Sequence, residues 1–337
     1  MNWKYFIGID VSKLTLDICI NQGKEKIFSR SVENRPKALE QLWNELLKKI
    51  PDFIPAEILC CCEHTGIYNE HLLCFLNNKK VAICLENATH IKFSGGLTRG
   101  KNDKVDAERI ANYAYKERES LRLWEPPREI IKTLKHLSVL RVRLLNVRKA
   151  LVVPLEEMKR FQKDAVKMMH SHTQATLKSI EKDLAAVDIK ILEVIKKDET
   201  LNRLFSITKS VTGVGKVTAV EILITTNEFK NIKTAQQYAC YAGVAPFEHS
   251  SGTSIKNKPR VSHKANKRVK TLLHMAAMAS IKQSGEMRDY MLRKLEQGKS
   301  KMSVLNAVRN KIIHRIYSCV MNERKYEKNY KKTLLYP

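Results

Sequence analysis

Asp10 closes a short apolar run in Ile7-Gly8-Ile9-Asp10-Val11-Ser12, and Glu63 closes another just before Thr65-Gly66. Asp103 and Asp106 stand three residues apart in Lys101-Asn102-Asp103-Lys104-Val105-Asp106-Ala107, a spacing that puts both on one face of a helical turn. Carboxylates gathered at one point raise one another's pKa and cost stability unless a cation sits among them. Magnesium suits an all-oxygen set: it accepts carboxylate ligands, keeps several waters and is completed by substrate phosphate. Two such ions about 4 Å apart can clamp the attacking and leaving oxygens of a phosphodiester. The chemistry that these four residues could do together is phosphoryl transfer. Singly, three of them have a plainer reading: Asp10 as a turn cap, Glu63 as a surface residue, Asp103 as the N-cap of the next helix.

Alternation and spacing give the elements that must bring them together. Tyr5–Val11, Leu14–Ile20 and Lys26–Glu33 read as three strands joined by two close hairpins. Pro36 opens a helix carrying Leu39, Leu42, Leu46 and Leu47. A buried strand over Glu57–Glu63, a helix over Tyr68–Asn78, a strand over Val81–Leu85, a glycine-containing loop over Asn87–Lys101 and a helix from Lys104 follow. Three antiparallel strands and then helix, strand, helix, strand, helix is the order of an RNase H-like domain. In such a sheet strands one and four are neighbours, so Asp10 and Glu63 would meet at one edge with the last helix across them.

Residues 128–200 carry no strand signals. Ile130, Leu134, Leu137, Leu140, Leu144, Val147 and Leu151, and then Leu177, Ile180, Leu184, Val187, Ile191 and Val194, recur at steps of three and four. Two long amphipathic helices in an antiparallel coiled-coil hairpin are expected, either carrying an interface between copies or acting only as a spacer. After residue 200 come Val211-Thr212-Gly213-Val214-Gly215-Lys216, either a phosphate-cradling turn or an ordinary helix–helix turn. A short helix over Thr234–Tyr241, a polar loop from Ala245 to Lys264 and three closing helices complete the chain. The expected domains are 1–122, 123–200 and 201–337.

Charge is distributed unevenly. The 337 residues carry a formal net charge of +26. Residues 1–120 hold 18 Lys/Arg against 16 Asp/Glu, whereas residues 201–337 hold 26 against 8. The near-neutral front and polycationic rear exclude an ordinary acidic enzyme and point to a polyanionic partner. No apolar run approaches a membrane span, the N-terminal decapeptide reads as a strand rather than a signal peptide, and no Cys or His spacing nominates zinc, His170 and His172 included. Reduced, mostly buried thiols and a cytoplasmic location are expected.

These segments together resemble the DEDD transposases of bacterial insertion sequences, the group that includes Piv-type DNA invertases and bridge-RNA-guided recombinases. The likeness covers nearly the whole chain. It is carried by Gly8 to Lys13, Glu63-His64-Thr65-Gly66-Ile67-Tyr68, Lys101 to Ala107, Gly213-Val214-Gly215, and Tyr241-Ala242-Gly243-Val244-Ala245-Pro246 leading to Ser250-Ser251-Gly252. The resemblance implies an N-terminal RNase H-like (RuvC-like) α/β domain, a coiled-coil insertion and a mainly α C-terminal transposase domain. It implies that Asp10, Glu63, Asp103 and Asp106 bind Mg²⁺, as two ions, and that Ser251 is a nucleophile forming a phosphoserine link to DNA, with Ser250 and Ser254 as rivals. DNA, a non-coding guide RNA and further copies of the chain are the implied partners. Ser251 of one protomer would meet the carboxylates of another.

Lys256, Lys258, Arg260, Lys264, Lys267, Arg268 and Lys270 surround the Ser251 segment with charge suited to phosphate contacts. His249 and His263 flank it without being assigned a catalytic role. Two other functions stay open on the residues alone. One is a Holliday-junction-type nuclease using metal-activated water, and the other is a non-catalytic nucleic-acid-binding protein with a degenerate nuclease fold.

Overall fold

The computed structural model describes residues 3–94, 103–251, 255–261 and 265–328. The side chains of residues 103, 104, 247–251 and 255–260 lie outside that description. The chain forms two compact units, Met1–Pro126 and Pro127–Pro337.

The first unit is built on a mixed five-stranded sheet, β1 (Tyr5–Val11), β2 (Thr15–Gln22), β3 (Glu25–Glu33), β4 (Ile58–Glu63) and β5 (Ala82–Glu86), in the order β3-β2-β1-β4-β5. β2 runs antiparallel to β1 and β3, whereas β1, β4 and β5 are parallel. Strands one and four are neighbours, as the sequence order requires. The period of two sorts the side chains into two buried faces. Tyr5, Ile7, Ile9, Leu16, Ile18, Ile58, Cys60 and Cys62 pack under α1 (Pro36–Lys49) and α2 (Glu70–Asn78), where Leu39, Leu42, Trp43, Leu46, Leu72 and Leu76 turn inward. Phe6, Leu59, Cys61 and Cys84 take the other face, with Ile91 of α3 (Ala88–Ser94) and Ile110, Tyr113 and Ala114 of α4 (Asp103–Glu117).

α3 replaces part of the expected loop over Asn87–Lys101. Asn87 is the reason: its side-chain oxygen accepts from the Thr89 amide at 3.0 Å and its carbonyl from the His90 amide at 2.8 Å, which starts a helix. Residues 95–102 lie outside the described ones.

The second unit opens with α5 (Glu129–Met158) and α6 (Lys163–Lys196). Both are longer than their apolar stripes suggest, and α5 continues through Pro154. Arg141 binds Asp188 at 2.6 Å and Arg148 reaches Glu181 at 3.2 Å, so the two helices run antiparallel as a hairpin. Its base, through Ile131, Leu134, Val187, Ile191 and Ile195, shares one core with α7 (Glu199–Ser210), α8 (Lys216–Thr226), α9 (Ala235–Tyr241), α10 (Lys267–Lys282), α11 (Glu286–Glu296) and α12 (Lys301–Met321). Arg128 fastens that base, bound to Asp198 at 2.6 Å and to the buried Glu228.

Between α9 and α10 the expected polar loop is instead an antiparallel ribbon, β6 (Pro246–Ser251) with β7 (Ile255–Val261). Its strands lack the apolar alternation of a half-buried pair, which is the usual strand signal. Gly213 also finds a packing reason. Its φ is +90°, and a Cβ there would stand 2.2 Å from the Ala276 carbonyl oxygen of α10, so close helix approach accounts for this glycine.

Among the described residues no helix is long and apolar enough to cross a membrane. Of the eight cysteines, all free, Cys74 and Cys240 are exposed and the other six are buried.

Gly8 faces α4 so closely that a Cβ would lie 2.2 Å from both the Ala107 carbonyl oxygen and the Ala111 nitrogen. Both contacts are backbone and cannot swing aside. Gly8→Ala is expected to cost about 3 kcal/mol, at the upper end for overpacking, read as a lower urea midpoint for the first unit. An unchanged midpoint would contradict the contact.

Candidate active site

The carboxylates gather where α4 crosses the sheet. In β1, Phe6, Gly8 and Asp10 point to the α4 side; in β4, Leu59, Cys61 and Glu63 do. Ile9 pairs with Cys62 in the parallel register, so Asp10 and Glu63 come next on adjacent strands at the same level. The α4 backbone that rests on Gly8 belongs to Ala107 and Ala111, and Asp106 precedes Ala107 by one residue. Three residues from distant sequence thus share one corner. Asp103 is the first residue of α4, one turn before Ala107; its side chain lies outside the described ones.

Their proximity is felt electrostatically. Glu63 is held above the ordinary glutamate pKa, first by burial and then by the negative charges of Asp10 and Asp106. Arg109 stands as a counter-charge to Asp106, at 2.7 Å.

The turns beyond the strand ends are fastened to one another. Asn69, 1% exposed, donates to the Glu63 carbonyl at 2.9 Å and accepts from the Thr65 amide at 2.7 Å and hydroxyl at 2.9 Å. The Ser12 hydroxyl accepts from the Thr15 amide at 3.0 Å and closes the hairpin after Asp10. Asn34 spans both turns, donating to the carbonyls of Ser12 and Tyr68 at 2.9 Å each. The backbones that carry Asp10 and Glu63 are therefore clamped before any ligand arrives, as a preorganised site requires.

Two further carboxylates extend the row. Asp17, buried in β2, is the cross-strand partner of Asp10, and Glu86 on β5 is paired with Glu63. Glu86 is engaged by His90 Nδ1 at 2.8 Å. The alternation Leu16, Ile18, Ile20 already sent Asp17 to the opposite face from its apolar neighbours; that was the available signal. Asn69 and Asn34 carried none, because their roles depend on turns.

Among the described residues no three His, Cys, Asp or Glu side chains close into a metal-ligating group. The donor chemistry nonetheless fits magnesium, which uses one or two carboxylates and fills its other positions with water and phosphate. The repulsion on Glu63 is what a divalent cation would relieve.

In the second unit, Ser251 ends β6 and its backbone pairs with Ile255, so it stands at the tip of the ribbon. The side chains of His249, Ser250, Ser251, Lys256, Lys258 and Arg260 lie outside the described ones, as do residues Gly252, Ser254, His263 and Lys264. The ribbon's foot is tied down. The Asn266 amide donates to the Tyr241 carbonyl at 2.9 Å, its side chain donates to the Tyr241 hydroxyl at 2.8 Å, and Asn306 donates to the Val244 carbonyl at 2.8 Å. Lys267 is exposed and Lys270 half-buried on α10. Arg268 is committed inside the protein, to Glu221 at 2.9 Å and Ser138 at 2.7 Å.

Comparison with known proteins adds family context. A model described as a transposase of DEDD, IS110 type matches residues 7–158, and one described as the transposase IS116/IS110/IS902 family matches residues 206–292. Asp10, Glu63, Asp103 and Asp106 fall within the first match and Ser251 within the second. The chain is 24% identical over 330 residues to the pilin gene-inverting proteins of Moraxella bovis and of Moraxella lacunata, covering 96% of this chain and 98% of each relative. It is 30% identical over 118 residues to the insertion element IS110 uncharacterized 43.6 kDa protein of Streptomyces coelicolor, which is 35% of this chain and 29% of that one. A solved structure of T. thermophilus RuvC in complex with a Holliday junction substrate aligns with 36% of this chain and 99% of its own, at 13% identity and a TM-score of 0.27.

The raised Glu63 pKa has a definite sign in stability. Without a cation its ionised form is disfavoured by folding, so its cost is present above the raised pKa and fades as pH falls toward the unfolded value of about 4.3. Glu63→Gln is therefore expected to melt a few degrees above the native chain at pH 7.5 in EDTA, with the gap closing as pH falls toward the unfolded value of about 4.3. The same variant should lose the rise in melting temperature that millimolar Mg²⁺ gives the native chain. A native chain that shows no Mg²⁺ response, or a variant that keeps it, would contradict this account.

Proposed function

Because the chain belongs to the IS110 family of insertion-sequence transposases, matched over residues 7–158 and again over 206–292, we propose that it recombines DNA through a covalent Ser251–phosphate link made beside a divalent cation bound by Asp10, Glu63, Asp103 and Asp106. As a transposase/recombinase of that family it is a DNA-cleaving and rejoining enzyme. The observation that carries the active-site reading is the convergence of Asp10, Glu63 and Asp106 from two strands and a helix at one corner of the sheet, close enough to raise Glu63's pKa. Magnesium, as two ions, supplies charge neutralisation and Lewis acidity at the phosphate. The first unit is read as RNase H-like from its strand order and directions.

The serine hydroxyl is a weak nucleophile and needs placement and activation. In the proposed step the Ser251 Oγ–phosphorus bond forms as one phosphodiester P–O bond breaks. The serine proton leaves to solvent, and the departing DNA oxygen takes one up. The ester energy stays in the phosphoserine, so the reverse attack by a DNA hydroxyl rejoins strands without ATP. This fits relatives named for inverting a gene, which align from end to end. The ribbon supports it as well: Ser251 ends a strand whose foot is fixed by Asn266 and Asn306, a backbone suited to presenting a nucleophile to a duplex.

The proposed partners and assembly rest on charge and on the long hairpin. The excess of Lys and Arg over residues 201–337 suits phosphate backbones. A non-coding guide RNA is proposed to choose the target. Further copies of the chain, associating through the α5–α6 hairpin, are proposed to complete the reaction, with Ser251 of one copy serving the carboxylates of another.

Ser251→Ala is expected to abolish a covalent protein–DNA adduct on denaturing gels. An adduct that persists would move the nucleophile to Ser250 or Ser254, and free ends with no adduct in the native chain would identify a water-using nuclease. Asp106→Asn should slow strand exchange by about 10²–10³-fold, the range for losing an electrostatic contact to the transition state, with DNA binding retained. Undiminished exchange would dismiss the metal site.

A further inference from the structure

α10 and α12 pack against each other and carry no Asp or Glu along their 16 and 21 residues. Three arginines stand on them, and two have a carboxylate from elsewhere: Arg268 binds Glu221 and Arg315 binds Glu286. The third, Arg309, has none among the described residues. It is 6% exposed, with an Nε that meets no hydrogen-bond partner. One terminal nitrogen lies 2.7 Å from His274 Nδ1 and the other 3.4 Å from Asn306 Oδ1. A guanidinium only donates and cannot shed its proton, so His274 Nδ1 must be the acceptor. The imidazole is held neutral, its pKa lowered by burial and by Arg309's charge.

A fixed cation nearly withdrawn from water, braced by neutral groups alone, pays a desolvation cost that no counter-charge returns. We propose that Arg309, oriented by His274 and Asn306, is an anion site that receives a backbone phosphate of the DNA. The planar fork of the guanidinium matches the two free oxygens of a phosphodiester.

The location gives the contact a purpose. Asn306 donates to the Val244 carbonyl at 2.8 Å, two residues before β6, so the site lies at the foot of the ribbon. Ser251 is five residues further on than Pro246, about 17 Å along an extended strand. The phosphate held by Arg309 is thus not the one attacked. It anchors the strand at a distance and acts as a positioning contact. Arg309 lies beyond residues 206–292, outside both family matches. Only the identity of the anion rests on the reading of the chain as a DNA-acting enzyme; the anion site itself does not.

The test has two arms on the full-length chain. In the first, inorganic phosphate replaces chloride at constant ionic strength, and melting is followed. Phosphate should raise the melting temperature of the native chain and not that of Arg309→Met. In chloride the variant should melt no lower than the native chain, since a buried, uncompensated charge has gone. In the second, binding of a short duplex DNA is followed by anisotropy across salt concentrations. Arg309→Met should bind about 10- to 100-fold more weakly at low salt, as for loss of a charged hydrogen-bonding contact. Its log–log salt slope should be shallower by about one, the share of a single phosphate. If Arg309→Met does not fold, Arg309→Lys, which keeps the charge without the fork, should fold and show a weakened phosphate response. Equal phosphate responses in native and variant chains overturn the anion site. A lost phosphate response with unchanged DNA affinity and slope overturns DNA as its source, and failure of both variants to fold makes the arginine purely structural. Neither arm reads cleavage, so a wrong assignment of Ser251 leaves both intact.

Discussion

With only a hydrogen on Gly8, the backbone of α4 rests directly on β1. The candidate site of the first unit depends on this contact. It sets the height at which Asp106 arrives over the strand that carries Asp10, while the parallel register of β1 and β4 brings Glu63 level with them. A side chain at position 8 would lift the helix and separate the acidic groups, easing the repulsion that makes a cation welcome. The turns joined by Asn34 and Asn69 then keep the strand ends from relaxing sideways. Tight packing and electrostatic tension are two results of the same close approach.

The first unit was largely legible in the sequence because its elements bury what their periodicity says they should. Alternation in β2 set Leu16, Ile18 and Ile20 on one face, and the three-four spacing in α1 named Leu39, Leu42 and Leu46, which are core, together with Leu47, which is exposed. The consecutive cysteines 60 to 62 divide between the two faces as a strand requires. Asp17 and Glu86 were harder to find, since their place beside Asp10 and Glu63 is a matter of strand register. Asn34 was invisible, because a residue that ties two turns has no local pattern of its own.

The second unit hid more. Its ribbon carries polar residues and lacks a hydrophobic alternation, so the segment over Ala245–Lys264 reads as a loop. In the sequence, the cations surrounding the serine all read alike as suited to phosphate. The structure distinguishes its members: Lys267 is exposed, whereas Arg268 is spent on Glu221 and Ser138 inside the protein. Sequence counts charges without saying which are already neutralised. That difference separates a cation held for the fold from one left for a ligand, and Arg309 stands out only once its neighbours are known.

The cross-ties of the α5–α6 hairpin also have a consequence. Arg141–Asp188 and Arg148–Glu181 are set seven residues apart on both arms. Seven residues are close to two helical turns and about 10 Å of rise. Excising or adding one such block on each arm would leave the surviving partners in phase. The reach of the hairpin can therefore change in discrete steps while its base stays seated, which makes it a graduated arm whose length evolution or an engineer could reset without redesigning either end.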